Sequence, residues 1–406
     1  MKALVVTSCG PIMKDIEISG LVRRFSMFMR AIASTFGRIT IVNFVAPWML
    51  ERYPSIADVE RTQKETWGVP VSIELVPTPA PPKNFWSHYG AGILSINGHP
   101  DYGGASAREA VAAVRRHLSA EPDFVFAHRL AAMCSILQTG ITPSNLMFDL
   151  DDVEHRVQER RAFARPWWPG KLLYLAQSPA IRLGERRAVA AARVVTVCSD
   201  LDRAYLGRLG WSNNVAVIPN AVTIQGWPSE IVATPTMLFL GNLGYAPNAD
   251  AAERLVRNIW PRVRRTCPDA NLLIAGKWHE KLPSAAIPPP GVTYLGFVPD
   301  LDALYSKVRV VCCPVGVGGG TRIKLIEAGA YAKPIVSTSI GAEGLGFVDG
   351  VHALIRDDDQ SFADACSRLL QSDETCMTLS CAIYKKTKSK FDVSEIESEI
   401  AQLIYP

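Results

Sequence analysis

Along the first half of the chain, apolar residues gather in short compact runs that alternate with stretches of helical spacing. Lys2–Ser8 predicts a buried β-strand followed by a loop, Gly20–Ser34 carries apolar positions at helical intervals, and Arg38–Val45 predicts a second strand. Strand, helix, strand in that order implies a parallel α/β layer. Pro122–Ala127 extends the pattern as a strand ending at His128, and Asn145–Phe148 as a short one running into Asp149, Asp151, Asp152 and Glu154. Val194–Cys198 follows a basic, alanine-rich helix, and Val215–Pro219 follows the next. Between residues 47 and 105 the periodicity fades while Pro, Gly and aromatic residues accumulate, which predicts loops with short helices.

A linker is expected near Pro219–Pro235, and beyond it the pattern sharpens. Met237–Leu240, Asn271–Ala275, Val292–Phe297, Val308–Cys313 and Pro334–Ser337 read as strands, with helices at Ala249–Arg265, Leu301–Lys307 and Arg322–Tyr331. Ala353–Ile355 closes the series before a helix at Ser361–Gln371. The expectation is an α/β chain with two doubly wound domains, at 1–218 and 219–388. A tail, 389–406, is expected to be helical over Val393–Tyr405 and to pack back across the first domain. Two such layers facing one another would form an interdomain cleft, and open α/β sheets bind ligands beyond the carboxyl ends of their strands.

Composition narrows the partners. A chain of 406 residues that is 48% hydrophobic and 20% charged has the material for two buried sheets, which excludes a disordered or fibrous class. The formal charge of +4 suits a polyanionic small molecule or an acidic surface and does not point to nucleic acid. Nine scattered cysteines lack zinc or redox spacing, and the opening MKALVVTSCG reads as a strand and not as a secretory leader; both favour a cytoplasmic setting. No apolar run approaches the roughly 20 residues that span a bilayer. Any membrane contact is therefore expected to be peripheral, at the inner face.

The sharpest local chemistry runs from Val315 to Lys324. Gly316, Gly318, Gly319 and Gly320 fall between a buried strand and a helix start, where a sharp turn and close ligand approach go together. The backbone N–H groups that follow favour an anion, and Arg322 and Lys324 add cations fit for a diphosphate. The plainer alternative is a turn bearing two solvated charges. Thr321 completes the turn, and the spacing is neither a P-loop nor a dinucleotide fingerprint. Glu327, one helical turn after Lys324, can accept ribose hydroxyls or pair with Lys324 at i,i+3.

With these residues in view, the C-terminal half resembles the retaining, nucleotide-sugar-dependent transferases of glycosyltransferase family 4, which have the two-domain GT-B fold. The stretches that carry the resemblance are VIPNAV, FLGNLGYAPNADAAERL, WPRVRRTCPDANLLIAG, YLGFVPDLDALYSKVRVVCCPV and GGGTRIKLIEAGAYAKPIVSTSIGAEGL, over most of residues 215–346. The resemblance implies a donor site for a UDP- or GDP-sugar, with no further cofactor and no metal. It puts Glu327 on ribose, Gly319 where the family carries a first glutamate, and Arg322 and Lys324 on the diphosphate, as in a subgroup with a Gly-Thr-Arg-x-Lys turn. The usual cations after the first strand of this domain are absent; Gly241, Asn242 and Asn248 stand in that loop, where the asparagines either bond the donor or brace the loop. The charge is thus expected to have moved across the diphosphate. Gly296, Phe297 and Val298 resemble the family's nucleobase edge.

The first half is less alike. Cys9-Gly10 and Ser19-Gly20, with Arg23 or Arg24, are what this chain offers for the family's first phosphate loop. His128 resembles the histidine placed near the reacting sugar, or is a buried interdomain contact; His99 is another loop candidate. The acidic stretch offers Asp151 as a general base, hard oxygen ligands for magnesium or manganese, or a solvated helix start. Arg156, Arg160, Arg161 and Arg165 before Trp167-Trp168 fit either a lipid headgroup surface or a helix face with a packed turn. The resulting expectation is retaining hexosyl transfer to a saccharide, lipid-linked or small-molecule acceptor, within surface polysaccharide, glycolipid or other glycoconjugate synthesis. A GT-B nucleotide-sugar epimerase and a noncatalytic nucleotide-sugar binding protein are the alternatives.

Overall fold

In a computed structural model of the chain, residues 1–11, 20–51, 53, 55–79, 84, 93, 104–163, 167–211, 214–227 and 232–405 are described. Ser19, Gly98, His99, Pro100 and Arg165 lie outside the described residues, as do much of the loop-rich stretch after residue 79 and residues 228–231 of the expected linker. The chain divides into two units, Met1–Pro219 with Ser394–Pro406, and Asn220–Val393.

The first unit is built on seven parallel strands: β1 (Lys2–Thr7), β2 (Arg38–Val45), β3 (Val71–Pro77), β4 (Phe124–His128), β5 (Leu146–Asp151), β6 (Val194–Val197) and β7 (Val215–Val217). Their spatial order is β3-β2-β1-β4-β5-β6-β7. Leu4, Val5 and Val6 are all buried, so both faces of β1 are covered, as continuous apolar runs require in a parallel sheet. The cover comes from α1 (Gly20–Thr35), α2 (Ile56–Trp67), α3 (Arg108–Leu118), α4 (Arg129–Thr139), α5 (Glu154–Phe163), α6 (Leu172–Ala191) and α7 (Asp200–Arg208).

The expectation of loops with short helices after residue 47 accommodates α2 but misses β3. Ser55 caps α2 by accepting from the Asp58 amide, and β3 pairs in register with β2 from Val71 against Ile39. As an edge strand, β3 buries Val71, Ile73 and Val76, exposes Ser72 and leaves Glu74 and Leu75 half-buried, a broken pattern that hides it among its loop-rich neighbours.

The second unit carries six parallel strands, β8 (Thr236–Leu240), β9 (Asn271–Ala275), β10 (Val292–Gly296), β11 (Val310–Cys313), β12 (Ile335–Ser337) and β13 (Leu354–Ile355). They are ordered β10-β9-β8-β11-β12-β13. The helix expected at Ala249–Arg265 begins earlier, as α8 (Ala246–Arg254), and continues through a π turn, Leu255–Ile259, into α9 (Trp260–Thr266). Pro247 is tolerated in the first turn of α8, and the π turn ends two residues before Pro261, which has no N–H for the ladder.

Next come α10 (Leu301–Tyr305), α11 (Ile323–Ala330), α12 (Asp359–Gln371) and α13 (Asp373–Lys390). Of these, α13 is unforeseen: it buries Cys376, Leu379, Ser380, Ile383 and Thr387, a helical stripe whose polar members break the apolar signal. The last helix, α14 (Val393–Ile404), lies with the first unit: Arg30 pairs with Glu397, and Arg193 Nη2 donates to the Leu403 carbonyl at 2.7 Å.

Candidate functional site

A doubly wound sheet has one place where crossovers depart to opposite faces, and the loops there part to leave a crevice at the carboxyl ends of the strands. In the second unit that place lies between β8 and β11. The β8 loop, from Gly241 to Tyr245, with Asn248 in the first turn of α8, and the glycine turn after β11 therefore flank it.

The β8 loop is tightly braced. Gly241 N donates to Ala275 O at 3.0 Å, Leu243 N to Lys277 O at 3.1 Å and Gly244 N to Asn242 Oδ1 at 2.9 Å. Asn242 thus braces the loop through its side-chain oxygen. Asn248 Nδ2 donates to Asn242 O at 3.0 Å, and Asn248 Oδ1 accepts from Lys324 Nζ at 2.8 Å. Although Lys324 belongs to α11, its ammonium sits over the Phe239 ring of β8, 4.4 Å from the centroid. The positive charge expected on the far side of the crevice has returned to the β8 side through a long side chain. Burial, with the Arg322 guanidinium adding to it, lowers the Lys324 pKa to about 8.

Across the crevice, Gly318 has φ +147° and Gly320 φ +66°. A Cβ on Gly318 would lie 2.5 Å from Arg322 Nη2, so glycine allows both the turn and the guanidinium folded over it. Arg322 Nη1 donates to the carbonyls of Gly319 and Gly320, the latter at 3.2 Å, while Nη2 is buried with no partner among the described residues. Arg322 is also the N-cap position of α11, without a side-chain cap. Thr321 Oγ1 accepts from Asn220 Nδ2 at 2.8 Å. Glu327 is buried, and Tyr305 OH donates to its Oε2 at 3.4 Å. Phe297 is exposed beside half-buried Val298, and Lys277 Nζ stands 4.8 Å from the Phe297 ring centroid.

In the first unit the equivalent place lies between β1 and β4. Thr7 Oγ1 and His128 Nδ1 meet across it at 3.0 Å, and Cys9 N donates to the same hydroxyl at 2.9 Å. His128 Nε2 is buried and without a partner among the described residues. Burial, together with the Arg129 and Arg24 guanidiniums, pulls its pKa down to about 3, so the ring is neutral at physiological pH. In that state the ring offers hydrogen bonding to a ligand.

The acidic stretch is not a solvated helix start. Asp149 is fully buried within β5, where Arg24 Nε and Nη2 donate to its two oxygens at 2.8 and 2.6 Å and Thr196 Oγ1 adds a bond at 2.7 Å. Arg24 Nη1 donates to Ile218 O at 2.8 Å, so this guanidinium, considered above for a phosphate loop, is consumed internally. Asp151 has φ +62°, faces Arg24 at 3.2 Å and Arg129 at 4.0 Å, and has its pKa raised by burial and by Asp152. Asp151, Asp152 and Cys198 bring ligand atoms within 4.8 Å of one another, but the same pocket of side chains already holds those guanidiniums.

Comparison with known proteins follows this geometry. The model of the family described as "Glycosyl transferases group 1" matches residues 234–372, the span containing both loops. Among solved structures, HepE of Anabaena in complex with UDP and glucose is 14% identical over 99% of this chain and 98% of its own, with a TM-score of 0.64. A TarM mutant of S. aureus in complex with fondaparinux, alpha-GlcNAc-glycerol and UDP is 10% identical over 100% of both chains, with a TM-score of 0.68. Sucrose-phosphate synthase of Thermosynechococcus elongatus is 16% identical over 99% of this chain and 98% of its own, with a TM-score of 0.66. The chain has the GT-B fold of these structures, and its residues 234–372 are similar to the group 1 glycosyl transferases.

An uncharacterized 44.6 kDa protein in the cps region of Klebsiella pneumoniae is 31% identical over 135 residues, 31% of this chain and 35% of that one; the match spans about a third of the relative. Within this GT-B chain, the structure brings Gly241, Asn248, Arg322 and Lys324 around one crevice. Thr7 beside His128, Asn220 beside Thr321 and Lys277 beside Phe297 join the candidate residues; each comes from another segment, and no local spacing announces it.

Proposed function

We propose that this GT-B chain is a retaining glycosyltransferase that moves a hexosyl group from a UDP- or GDP-sugar to an acceptor hydroxyl. The observation that carries the reading is the pair of cations at the β8–β11 crevice, both resting on neutral oxygens. Lys324 rests on an amide oxygen and Arg322 on backbone carbonyls. Their charge remains available to a diphosphate, and its value to catalysis lies in growing as the glycosidic bond breaks and negative charge collects on the departing phosphate. In this reading Glu327 takes the ribose, Phe297 and Val298 edge the nucleobase, and Gly319 and Gly320 give the backbone close access. His128 offers Nε2 to a sugar hydroxyl as a neutral partner. Asp151 stays outside the chemistry, because two guanidiniums already face it.

UDP in the HepE and TarM structures supports a nucleotide donor, and the cps-region relative supports surface polysaccharide or other glycoconjugate synthesis. Exposed Phe163, Trp167, Trp168 and Leu172 fit a lipid-linked acceptor met at the inner face of a membrane from the cytoplasm. No described helix is long and apolar enough to cross one. The test is nucleotide release from a panel of UDP- and GDP-sugars with a lipid extract and purified acceptors, followed by NMR of the product anomer. Transfer with the donor's anomeric configuration kept is expected. An inverted linkage rejects retention, sugar isomers formed without acceptor mark an epimerase, and tight binding without turnover marks a noncatalytic binder.

A further inference from the structure

A lysine that serves a diphosphate has to be held without being neutralised. Lys324 has a long flexible stem, and an unheld ammonium would sample many positions before meeting a phosphate. Its Nζ is 2.8 Å from Asn248 Oδ1, and the Asn248 amide is itself aimed, since Nδ2 donates to Asn242 O at 3.0 Å. With the nitrogen end committed to that carbonyl, the oxygen end must face Lys324. The bond takes one of three ammonium protons and leaves two for an anion. Gly241 lies against the same group: a Cβ there would come within 2.7 Å of Lys324 Nζ and 3.0 Å of Asn248 Nδ2. A carboxylate in place of the amide would hold the lysine equally well but would cancel its charge.

We propose that Asn248 is a positioning residue that acts through Lys324, holding its ammonium at the end of β8 for the donor diphosphate, with Gly241 leaving the space it occupies. The assignment rests on the reading of the second unit as the donor site. It makes Asn248 and Lys324 a coupled pair that delivers from α11 the positive charge the β8 loop does not carry itself.

The experiment is a double-mutant cycle on UDP and GDP affinity by calorimetry, with Asn248→Ala, Lys324→Met and the double variant, each checked for wild-type thermal unfolding. Asn248→Ala is expected to weaken binding about tenfold, as loss of a bond to a charged donor does, and to add nothing once Lys324 is Met. The pH profile supplies a second readout. Removing the acceptor favours the neutral amine, so Asn248→Ala moves the loss of affinity to lower pH. Asn248→Asp keeps the oxygen and adds a negative charge, and moves it to higher pH.

A residue that only braces the loop gives equal losses for Ala and Asp, no pH shift and additive effects; that result overturns the assignment while the donor site stands. Wild-type protein that binds neither nucleotide overturns both.

Discussion

The two units place charged side chains at the same kind of location, the carboxyl ends of central parallel strands, and use them in opposite ways. In the first, Arg24 is spent on Asp149, Asp151 and a backbone carbonyl, all within the unit. In the second, Lys324 and Arg322 rest on an amide and on glycine carbonyls. A cation closed by a carboxylate is a strut, whereas a cation held by neutral oxygens keeps its field for a ligand. Shared topology therefore says where charge can stand, and the partner's own charge says what it is for.

The comparison breaks most visibly at Asp149. Replacing it with Ala strands a buried guanidinium, and the first unit should lose about 3–5 kcal/mol, measured by denaturant unfolding. If stability hardly changes, Arg24 is not the strut described. The second unit should answer in the opposite sense. Arg322→Ala is expected to cut turnover about a hundredfold while leaving unfolding within about 1 kcal/mol of wild type. Steady-state kinetics beside a thermal melt would separate the two, and a melt that collapses with the activity would make Arg322 structural as well.

The gentlest probe is pH. Lys324 carries its charge below a pKa of about 8, so nucleoside diphosphate affinity should be present at pH 7 and fall about tenfold by pH 9. Calorimetry that finds a flat profile would mean that the ammonium does not face the phosphates.

How much could be read beforehand follows the range of each interaction. The continuous apolar runs of β1, β2 and β11 announce buried parallel strands because their neighbours in sequence are also their neighbours along the strand. The glycine turn was equally plain, since Gly318, Gly320 and Arg322 act within one short segment. By contrast, β3 shows only a broken alternation at a sheet edge, and α13 hides a helical stripe behind Ser380 and Thr387. The acidic residues that begin within β5 read as a solvated helix start, because nothing near them in sequence reveals a buried guanidinium.

Sequence alone determined two series of strands and helices, a glycine turn with two cations at a helix start, and the likeness to nucleotide-sugar transferases. Tertiary structure decided where each charge ended. Lys324 finds Asn248 across 76 residues, His128 finds Thr7 across 121, and Arg24 finds Asp149 across 125. Backbone spacing fixes which side chains share a strand or turn, but a partner on another segment is chosen only when the sheet brings the loops together. That choice sets both the desolvation of the charge and its availability to a ligand.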